Sequence, residues 1–171
     1  MTPEAIRRLY GYTYWAFEGV WNCLNQLNDE QFTRSLDYSM GSLRNQMVHV
    51  MSGTRRWIDR IRGEPISAHL SFEQYDTQAK VREKWDTSKE EVLSYVLSLS
   101  GADLDELVKW EIVGRRLKQS NRRWELLLHV ANHATDHRAQ ILAMMHYEYR
   151  VKTVEQDMLF YLAQPSFVHP T

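Results

Sequence analysis

The sequence is poor in cysteine, proline and glycine, with one, four and seven of these residues in a chain of 171. The single cysteine, Cys23, cannot form an internal disulfide, which excludes a domain held together by disulfides. The amino terminus has no basic segment followed by an apolar core, and no apolar run approaches the roughly 18 residues of a membrane span. We therefore expect a cytoplasmic protein that is neither secreted nor inserted in a membrane.

The sequence also has no excess of charge of either sign. It contains 21 Lys and Arg residues and 22 Asp and Glu residues, for a formal net charge of -1. A chain with so little net charge creates no global field that attracts nucleic acid or an anionic membrane, and neither is expected as a partner. Hydrophobic residues make up 43% and charged residues 25%, as in globular proteins. The length predicts a single domain over residues 1–171.

Four long segments carry apolar residues at spacings of three and four, the period of an amphipathic helix. The predicted helices cover roughly residues 3–28, 43–62, 77–99 and 122–149. Thr2, Ser42 and Asn121 are the predicted N-caps, and Gly101 stands where the third helix would have its C-terminal cap. These segments predict an all-α fold.

Two shorter elements accompany the helices. The alternation of Val108, Trp110 and Ile112 predicts a small strand or hairpin between the third and fourth helices. The sequence TVEQ at 153–156 has the form of a capping box and predicts a short C-terminal helix that ends at Pro165. An antiparallel four-helix bundle is the simplest architecture, because only neighbouring helices can cover each apolar stripe. The links on either side of the third helix are too long for tight hairpins, so simple up-down-up-down order is not assured.

The fourth predicted helix carries three histidines four residues apart, His129, His133 and His137. A helical wheel places His133 and His137 inside the apolar arc and His129 at its edge. Burying an imidazole without a partner costs on the order of 1–3 kcal/mol. Two rings one turn apart can instead converge on one cation. An HxxxH pair is equally compatible with two hydrogen-bonded core histidines, so a third ligand must decide between these interpretations.

The remaining histidines do not supply that ligand from their positions alone. His69 lies in a loop that contains proline, His146 faces away on the wheel, and His169 lies in the terminal tail. His49 lies midway along the second helix, but on the flank of its apolar arc. The residues by themselves therefore leave the third ligand open.

Several stretches, taken in order, resemble the DinB and YfiT-like family of metalloenzymes. They are YWAFEGVWNCLNQLNDEQF, SLRNQMVHVMSGTRRWIDRIRG, LLLHVANHATDHRAQI and DMLFYL. The resemblance rests most on His49 followed by Trp57 and on the pattern NHxxxHRxQ at 132–140. The family often has a glycine where this chain has Ala139. The resemblance implies a four-helix bundle in which His49, His133 and His137 bind a metal and His129 is only a neighbour.

The resemblance also implies a function. Some relatives transfer low-molecular-weight thiols such as bacillithiol, mycothiol or glutathione, so we expect a metal-dependent thiol S-transferase of stress or detoxification, with hydrolysis as another reaction type. Three histidines leave at least one coordination position open, as in catalytic zinc sites. Zinc or nickel is expected first, while iron, copper, cobalt and manganese are also compatible. A noncatalytic metal-binding or partner-binding bundle is the alternative, and a homodimer is expected.

Other residues near the predicted site have two readings. Asp136 or Gln46 would orient a metal ligand, although solvent exposure or helix packing also explains them. The basic run Arg115, Arg116, Lys118, Arg122 and Arg123 is either a solvated hairpin tip or, if it overhangs the metal, a site for the carboxylates of a thiol. The tryptophans, in particular Trp15, Trp21 and Trp57, either fill the core or line an apolar substrate pocket. No catalytic side chain is identified.

Overall fold

A computed structural model of the protein describes residues 1–164. In chain order its helices are α1 (Pro3–Leu24), α2 (Asp29–Thr33), α3 (Leu43–Arg62), α4 (Gln78–Ser98), α5 (Gly101–Asp105), α6 (Arg123–Tyr149) and α7 (Met158–Leu162). The strands are β1 (Leu107–Ile112) and β2 (Leu117–Arg122), which pair as an antiparallel hairpin. The all-α prediction with a small hairpin is confirmed. No helix within residues 1–164 is long and apolar enough to cross a membrane.

Two of the long helices begin at the caps that the sequence predicts, and a third begins at a similar cap, Thr77, close to its predicted start. The side chains of Thr2, Ser42 and Thr77 each accept a hydrogen bond from the backbone N–H three residues later, at 3.2, 3.0 and 3.3 Å. Each bond satisfies one of the N–H groups that a helix start leaves unpaired. The starts of α1, α3 and α4 are therefore fixed by local chemistry.

The fourth long helix, α6, begins at Arg123, and its N-cap is Arg122 and not Asn121. The Glu125 carboxylate accepts the backbone N–H of Arg122 at 2.8 Å. Asn121 instead lies in β2, where it pairs with Val108 of β1, and its Oδ1 accepts the indole N–H of Trp110 at 3.0 Å. The hairpin takes the residue that the sequence pattern assigned to the helix.

One predicted helix end and one predicted C-terminal cap are wrong, and in both cases a short capped helix follows the long one. The first long helix ends at Leu24 and not near residue 28, since Asn28 and Gln31 form a capping box that opens α2. The predicted cap Gly101 is the first residue of α5, whose N-cap is Ser100.

The capping box predicted at 153–156 is also wrong. These residues are irregular, and α7 begins only at Met158. The Gln156 side chain instead packs on the bundle, where its Nε2 donates to the carbonyl of Ala16 at 2.6 Å and its Oε1 accepts from Arg138 at 3.3 Å. The predicted stop at Pro165 lies outside the described residues.

The long helices have an order around the bundle that differs from their order in the chain. Both α1 and α3 lie against α4 and against α6, so α1 and α3 face each other across the diagonal. The hydroxyl of Tyr10 donates to the carbonyl of Leu127, and the Arg138 guanidinium lies 5.3 Å from the ring of Phe17. Residue numbers thus increase together along this interface, and α1 and α6 run parallel.

The other two long helices run in the opposite direction. On α4, Arg82 bonds to Glu18 while Leu97 accepts a hydrogen bond from Arg7, so α4 is antiparallel to α1. On α3, Gln46 contacts α6 near residue 140 and Trp57 contacts it near residue 129. The bundle is therefore up-down-down-up, an order that the long links around the third predicted helix permit.

Candidate metal centre

Three imidazole rings from two helices meet on the seam between α3 and α6. The candidate ligand nitrogens of His49, His133 and His137 all lie within 4.8 Å of one another. The Nε2 atoms of His133 and His137 are 3.2 Å apart. The ring of His49 lies 5.3 Å from that of His133 and 4.7 Å from that of His137, measured between centroids. This group, which we call the histidine cluster, can hold a metal ion, and it consists of the three residues predicted as ligands.

The position of the cluster explains why the helical wheel did not place His49 at the core centre. The cluster lies on the seam where α3 packs against α6, because His49 belongs to α3 and the other two histidines belong to α6. A residue on the flank of the α3 apolar arc is the one that faces this seam. His49 is accordingly half-buried, whereas His137 is only 7% exposed.

Gly53, one helical turn after His49, makes room for the ring of His133. A Cβ atom at this position would lie 3.3 Å from His133 Cε1, tighter than ordinary van der Waals contact. Helical spacing alone does not single out this residue. A glycine inside a helix costs about 1 kcal/mol relative to alanine, so its presence one turn from a candidate ligand indicates a close approach.

Gln46 fixes the orientation of one ring. Its Oε1 accepts a hydrogen bond from Nδ1 of His137 at 2.6 Å, and its Nε2 donates to Oε1 of Gln140 at 2.9 Å. The Gln140 amide in turn donates to Asp136 at 3.0 Å. Because the Gln46 amide nitrogen donates to Gln140, the Gln46 amide oxygen must face the imidazole. The His137 ring therefore carries its proton on Nδ1 and keeps Nε2 free.

The two residues predicted to orient a ligand therefore differ in role. Gln46 is fully buried and touches His137 directly. Asp136 is exposed, and its hydrogen-bond connection to the ring runs through Gln140 and Gln46, although its charge also acts on the pKa of His137.

Burial keeps the cluster uncharged. Desolvation, followed by the neighbouring rings of His137 and His49, lowers the pKa of His133 to about 4. Desolvation also lowers the pKa of His49 and of His137. At neutral pH the three rings are therefore neutral, the form in which imidazole binds a metal.

An aromatic rim borders the cluster. The exposed His129 stands edge-on to Trp57, with ring centroids 4.7 Å apart, and Trp57 packs in the same way on Trp110 of the hairpin at 5.4 Å. The His129 and His133 rings are 6.3 Å apart, and His129 is not part of the cluster. This agrees with its edge position on the wheel. Trp57 is a rim residue, whereas Trp21 is buried in the core and Trp15 packs on Tyr161.

The basic run does not converge on the histidine cluster. Strand register pairs Lys118 with Glu111 and Arg122 with Leu107, on the hairpin face opposite to Trp110. Arg123 lies in α6, where it bonds to Glu106 at 2.8 Å. Arg115 and Arg116 are exposed at the turn. The solvated-hairpin reading of this run therefore fits the structure better than a common anion site.

His69 lies nearer to the cluster than its place in a loop suggests. Its loop runs back along α3, where Asp59 accepts the backbone N–H of Ser67 at 2.9 Å and Ser52 accepts that of Leu70 at 3.1 Å. His69 Nδ1 is 3.5 Å from the Ser52 hydroxyl, and its charge acts on the pKa of His49. It is not a member of the cluster. His146 is exposed near the end of α6, and His169 lies outside the described residues.

Comparison with known proteins gives an independent assignment. The family model described as "DinB family" matches residues 1–148. "Protein DinB" of Bacillus subtilis (strain 168) is 29% identical over 147 residues, covering 81% of this chain and 83% of that protein. The family match spans the four long helices almost to the end of α6 and includes the whole histidine cluster.

Proposed function

The chain belongs to the DinB family, and from this membership and its histidine cluster we propose that it is a divalent-metal-dependent enzyme of the thiol S-transferase type. The observation that carries the proposal is the convergence of three neutral imidazoles on a half-buried seam beside an aromatic rim. A structural site would need no such rim and would be closed by a fourth protein ligand.

The donor set fits a catalytic ion. His49, His133 and His137 would hold it, and no fourth His, Cys, Asp or Glu side chain within residues 1–164 joins their group. Gln46 holds the ring of His137, and Gly53 allows α3 to approach His133. Zinc and nickel are the first candidates, because imidazole suits both, and iron, copper, cobalt or manganese is also compatible. When bound, such an ion would supply Lewis acidity that lowers the pKa of a thiol or of water.

The proposed reaction joins a thiol R–SH to an electrophile R′–X. The S–C bond forms as the C–X bond breaks, X leaves with the bonding electron pair, and the thiol proton needs an acceptor. We assign this acceptor to His129, because its ring lies at the rim next to the cluster and remains accessible to solvent. Partial desolvation lowers the pKa of this ring, so that it is neutral at pH 7. Trp57 supplies an apolar wall for the electrophile.

The first experiment measures metal in protein purified without a histidine tag. Elemental analysis compares the native chain with His49→Ala, His133→Ala and the control His146→Ala, which changes an exposed histidine of the same helix. We expect near one equivalent of metal in the native chain and the control and its loss in the other two variants. Metal absent from the native protein, even after incubation with zinc and nickel, would overturn the proposed centre.

Turnover is then measured with the metallated protein. Monochlorobimane is a suitable electrophile, because thiol displacement of its chloride gives a fluorescent thioether, and glutathione, bacillithiol and mycothiol are the thiols to compare. We expect metal-dependent turnover with at least one thiol. Bound metal without turnover for any thiol across a panel of electrophiles would favour the noncatalytic bundle instead.

We also propose that the protein acts in the cytoplasm, in stress or detoxification, as a homodimer. Sedimentation as a 20.3 kDa monomer at micromolar concentration would contradict the dimer.

A further inference from the structure

A cavity lies inside the bundle, with no residue of the histidine cluster in its wall. It has a volume of about 250 Å³, all four long helices line it, and no histidine contributes to its wall. The cavity follows from the packing, because α1 and α3 face each other across the diagonal and α6 places small side chains between them. Those side chains are Val130, Ala131 and Ala134.

Apolar and polar surfaces contribute about equally to the wall of this cavity, and five of its lining residues carry hydroxyl groups. The hydroxyls of Tyr10 and Thr13 already donate to backbone carbonyls. Phe17, Met51 and Trp85 contribute large apolar surfaces.

Tyr14 and Thr54 also line the cavity, are only 8% and 9% exposed, and donate no side-chain hydrogen bond to another residue of the described chain. Neither of these hydroxyl oxygens is fully buried, so both can bond to a ligand inside the cavity. Among the lining residues, the indole N–H of Trp85 is fully buried and has no hydrogen-bond partner. Leaving such a group unpaired costs about 1–3 kcal/mol, so the wall favours a ligand with a polar atom.

The cavity opens between α3 and α4, where its charged lining residues already have partners. Arg62 bonds to Glu64 at 2.9 Å and Lys89 bonds to Glu18 at 2.8 Å. The Asp59 carboxylate accepts the backbone N–H of Ser67. The remaining two charged lining residues, Arg55 and Glu91, are exposed and carry charges of opposite sign. The opening therefore favours a neutral ligand over an ion.

We propose that this cavity is a binding site for a neutral aromatic molecule of one or two rings that carries one hydroxyl or N–H group. The Tyr14 and Thr54 hydroxyls would bond to that group, while the apolar part of the wall covers the rings. An apolar cavity of about 150 Å³ is enough to bind benzene, so the larger volume here admits a phenol or an indole. The site is separate from the metal centre, and the inference does not depend on the proposed enzymatic function.

The test is calorimetric titration of the full chain with p-cresol and with toluene, which lacks the hydroxyl. Ala131→Leu fills part of the cavity, and Ala143→Leu is the matched control, because Ala143 lies on the same helix but lines a separate surface groove with Tyr38 and Tyr147. We expect saturable p-cresol binding that weakens on the order of tenfold or more in Ala131→Leu and is unchanged in Ala143→Leu. No saturable binding, or a loss only in Ala143→Leu, would overturn the site.

A second variant distinguishes a specific site from nonspecific binding of apolar molecules in the bundle interior. Tyr14→Phe removes one hydroxyl and keeps the ring, so p-cresol should lose most of its preference over toluene while toluene binding is retained. Equal affinities of the native protein for the two compounds would overturn the role assigned to the hydroxyls. If Ala131→Leu does not fold, as judged by circular dichroism, Ala134→Leu tests the same wall, and undiminished p-cresol binding there would overturn the proposal.

Discussion

Gln46 on α3 and His137 on α6 are joined by a hydrogen bond of 2.6 Å that crosses the interface carrying the histidine cluster. Because the Gln46 oxygen accepts the Nδ1 proton, the free Nε2 of His137 faces His133, 3.2 Å from its Nε2. The same contact ties the two helices that supply the cluster. Gln46 therefore prepares the site before any ion binds.

Replacing Gln46 with methionine should weaken metal binding while preserving the fold. The side chains are similar in size, but methionine accepts hydrogen bonds only weakly and would leave the His137 ring free to turn or to change tautomer. Loss of such an orienting partner typically lowers metal affinity about 10–100-fold. Competition with a chromophoric chelator measures the affinity.

The control for this prediction is Gln140→Met, which removes the hydrogen bond between Gln46 and Gln140 and leaves the bond between Gln46 and His137 in place. Its effect on metal affinity should be clearly smaller. An affinity that is unchanged in Gln46→Met would contradict an orienting role for this residue.

Gly53→Ala should weaken metal binding without lowering the stability of the metal-free protein. Alanine is favoured over glycine in a helix by about 0.8–1.0 kcal/mol, but the added Cβ would lie 3.3 Å from His133 Cε1 and must displace that ring by a few tenths of an ångström. We expect little change or a gain in thermal stability of the chelator-treated protein, together with weaker metal binding. Differential scanning calorimetry and chelator competition report the two effects.

Gly101→Ala provides the comparison, because a Cβ atom at Gly101 meets nothing within 4 Å. Metal affinity should be the same in this variant as in the native chain. Equal metal affinity in Gly53→Ala would show that the contact with His133 does not constrain the cluster.

The sequence is informative where local chemistry decides the structure. The hydroxyls of Thr2 and Ser42 mark two helix starts, because each accepts a nearby backbone N–H whatever the rest of the chain does. Placing His133 and His137 on one face likewise needs only the helical period. These features were predicted from a few neighbouring residues.

The features that depend on packing could not be read in this way. The flank position of His49 brings this ring to the cluster only because α6 packs beside α3. The diagonal placement of α1 and α3 follows from links that carry no strong local signal. Asn121 looks like a helix cap in isolation, yet its side chain accepts the indole N–H of Trp110 across the hairpin. In each case a long-range contact overrides or completes a local preference.

The metal-free protein should lose stability as the solution becomes mildly acidic. Burial, together with His137 and His49, lowers the folded-state pKa of His133 to about 4, below its ordinary value of 6.5. Between these values the unfolded chain binds more protons than the folded one, so the free energy of unfolding decreases as pH falls through this range. The contribution is fully present above pH 6.5.

Urea denaturation of chelator-treated protein at several pH values between about 7.5 and 4.5 measures this dependence. His133→Gln removes the titrating group, so its stability should fall less steeply with pH than that of the native chain. His146→Gln, at an exposed position, should retain the native slope. Parallel curves for the native chain and His133→Gln would contradict the assignment of the pH effect to the buried ring.

His129→Gln should reduce turnover without removing the metal. The ring lies outside the histidine cluster, 6.3 Å from that of His133, and rests edge-on against Trp57, so a glutamine there leaves the three ligand nitrogens in place. Glutamine can accept a hydrogen bond but cannot take up the thiol proton near neutral pH. Removal of a general base typically costs about 10²–10⁴-fold in rate. We expect a loss of kcat in this range at neutral pH, partial recovery at higher pH as the free thiol ionises without help, and an unaltered metal content by elemental analysis.

Trp57→Phe is the comparison for the rim, because it keeps an apolar wall and should change KM more than kcat. A His129→Gln enzyme with native kcat across the pH range would show that the thiol proton leaves by another route, and a loss of metal in this variant would place His129 among the groups that hold the ion.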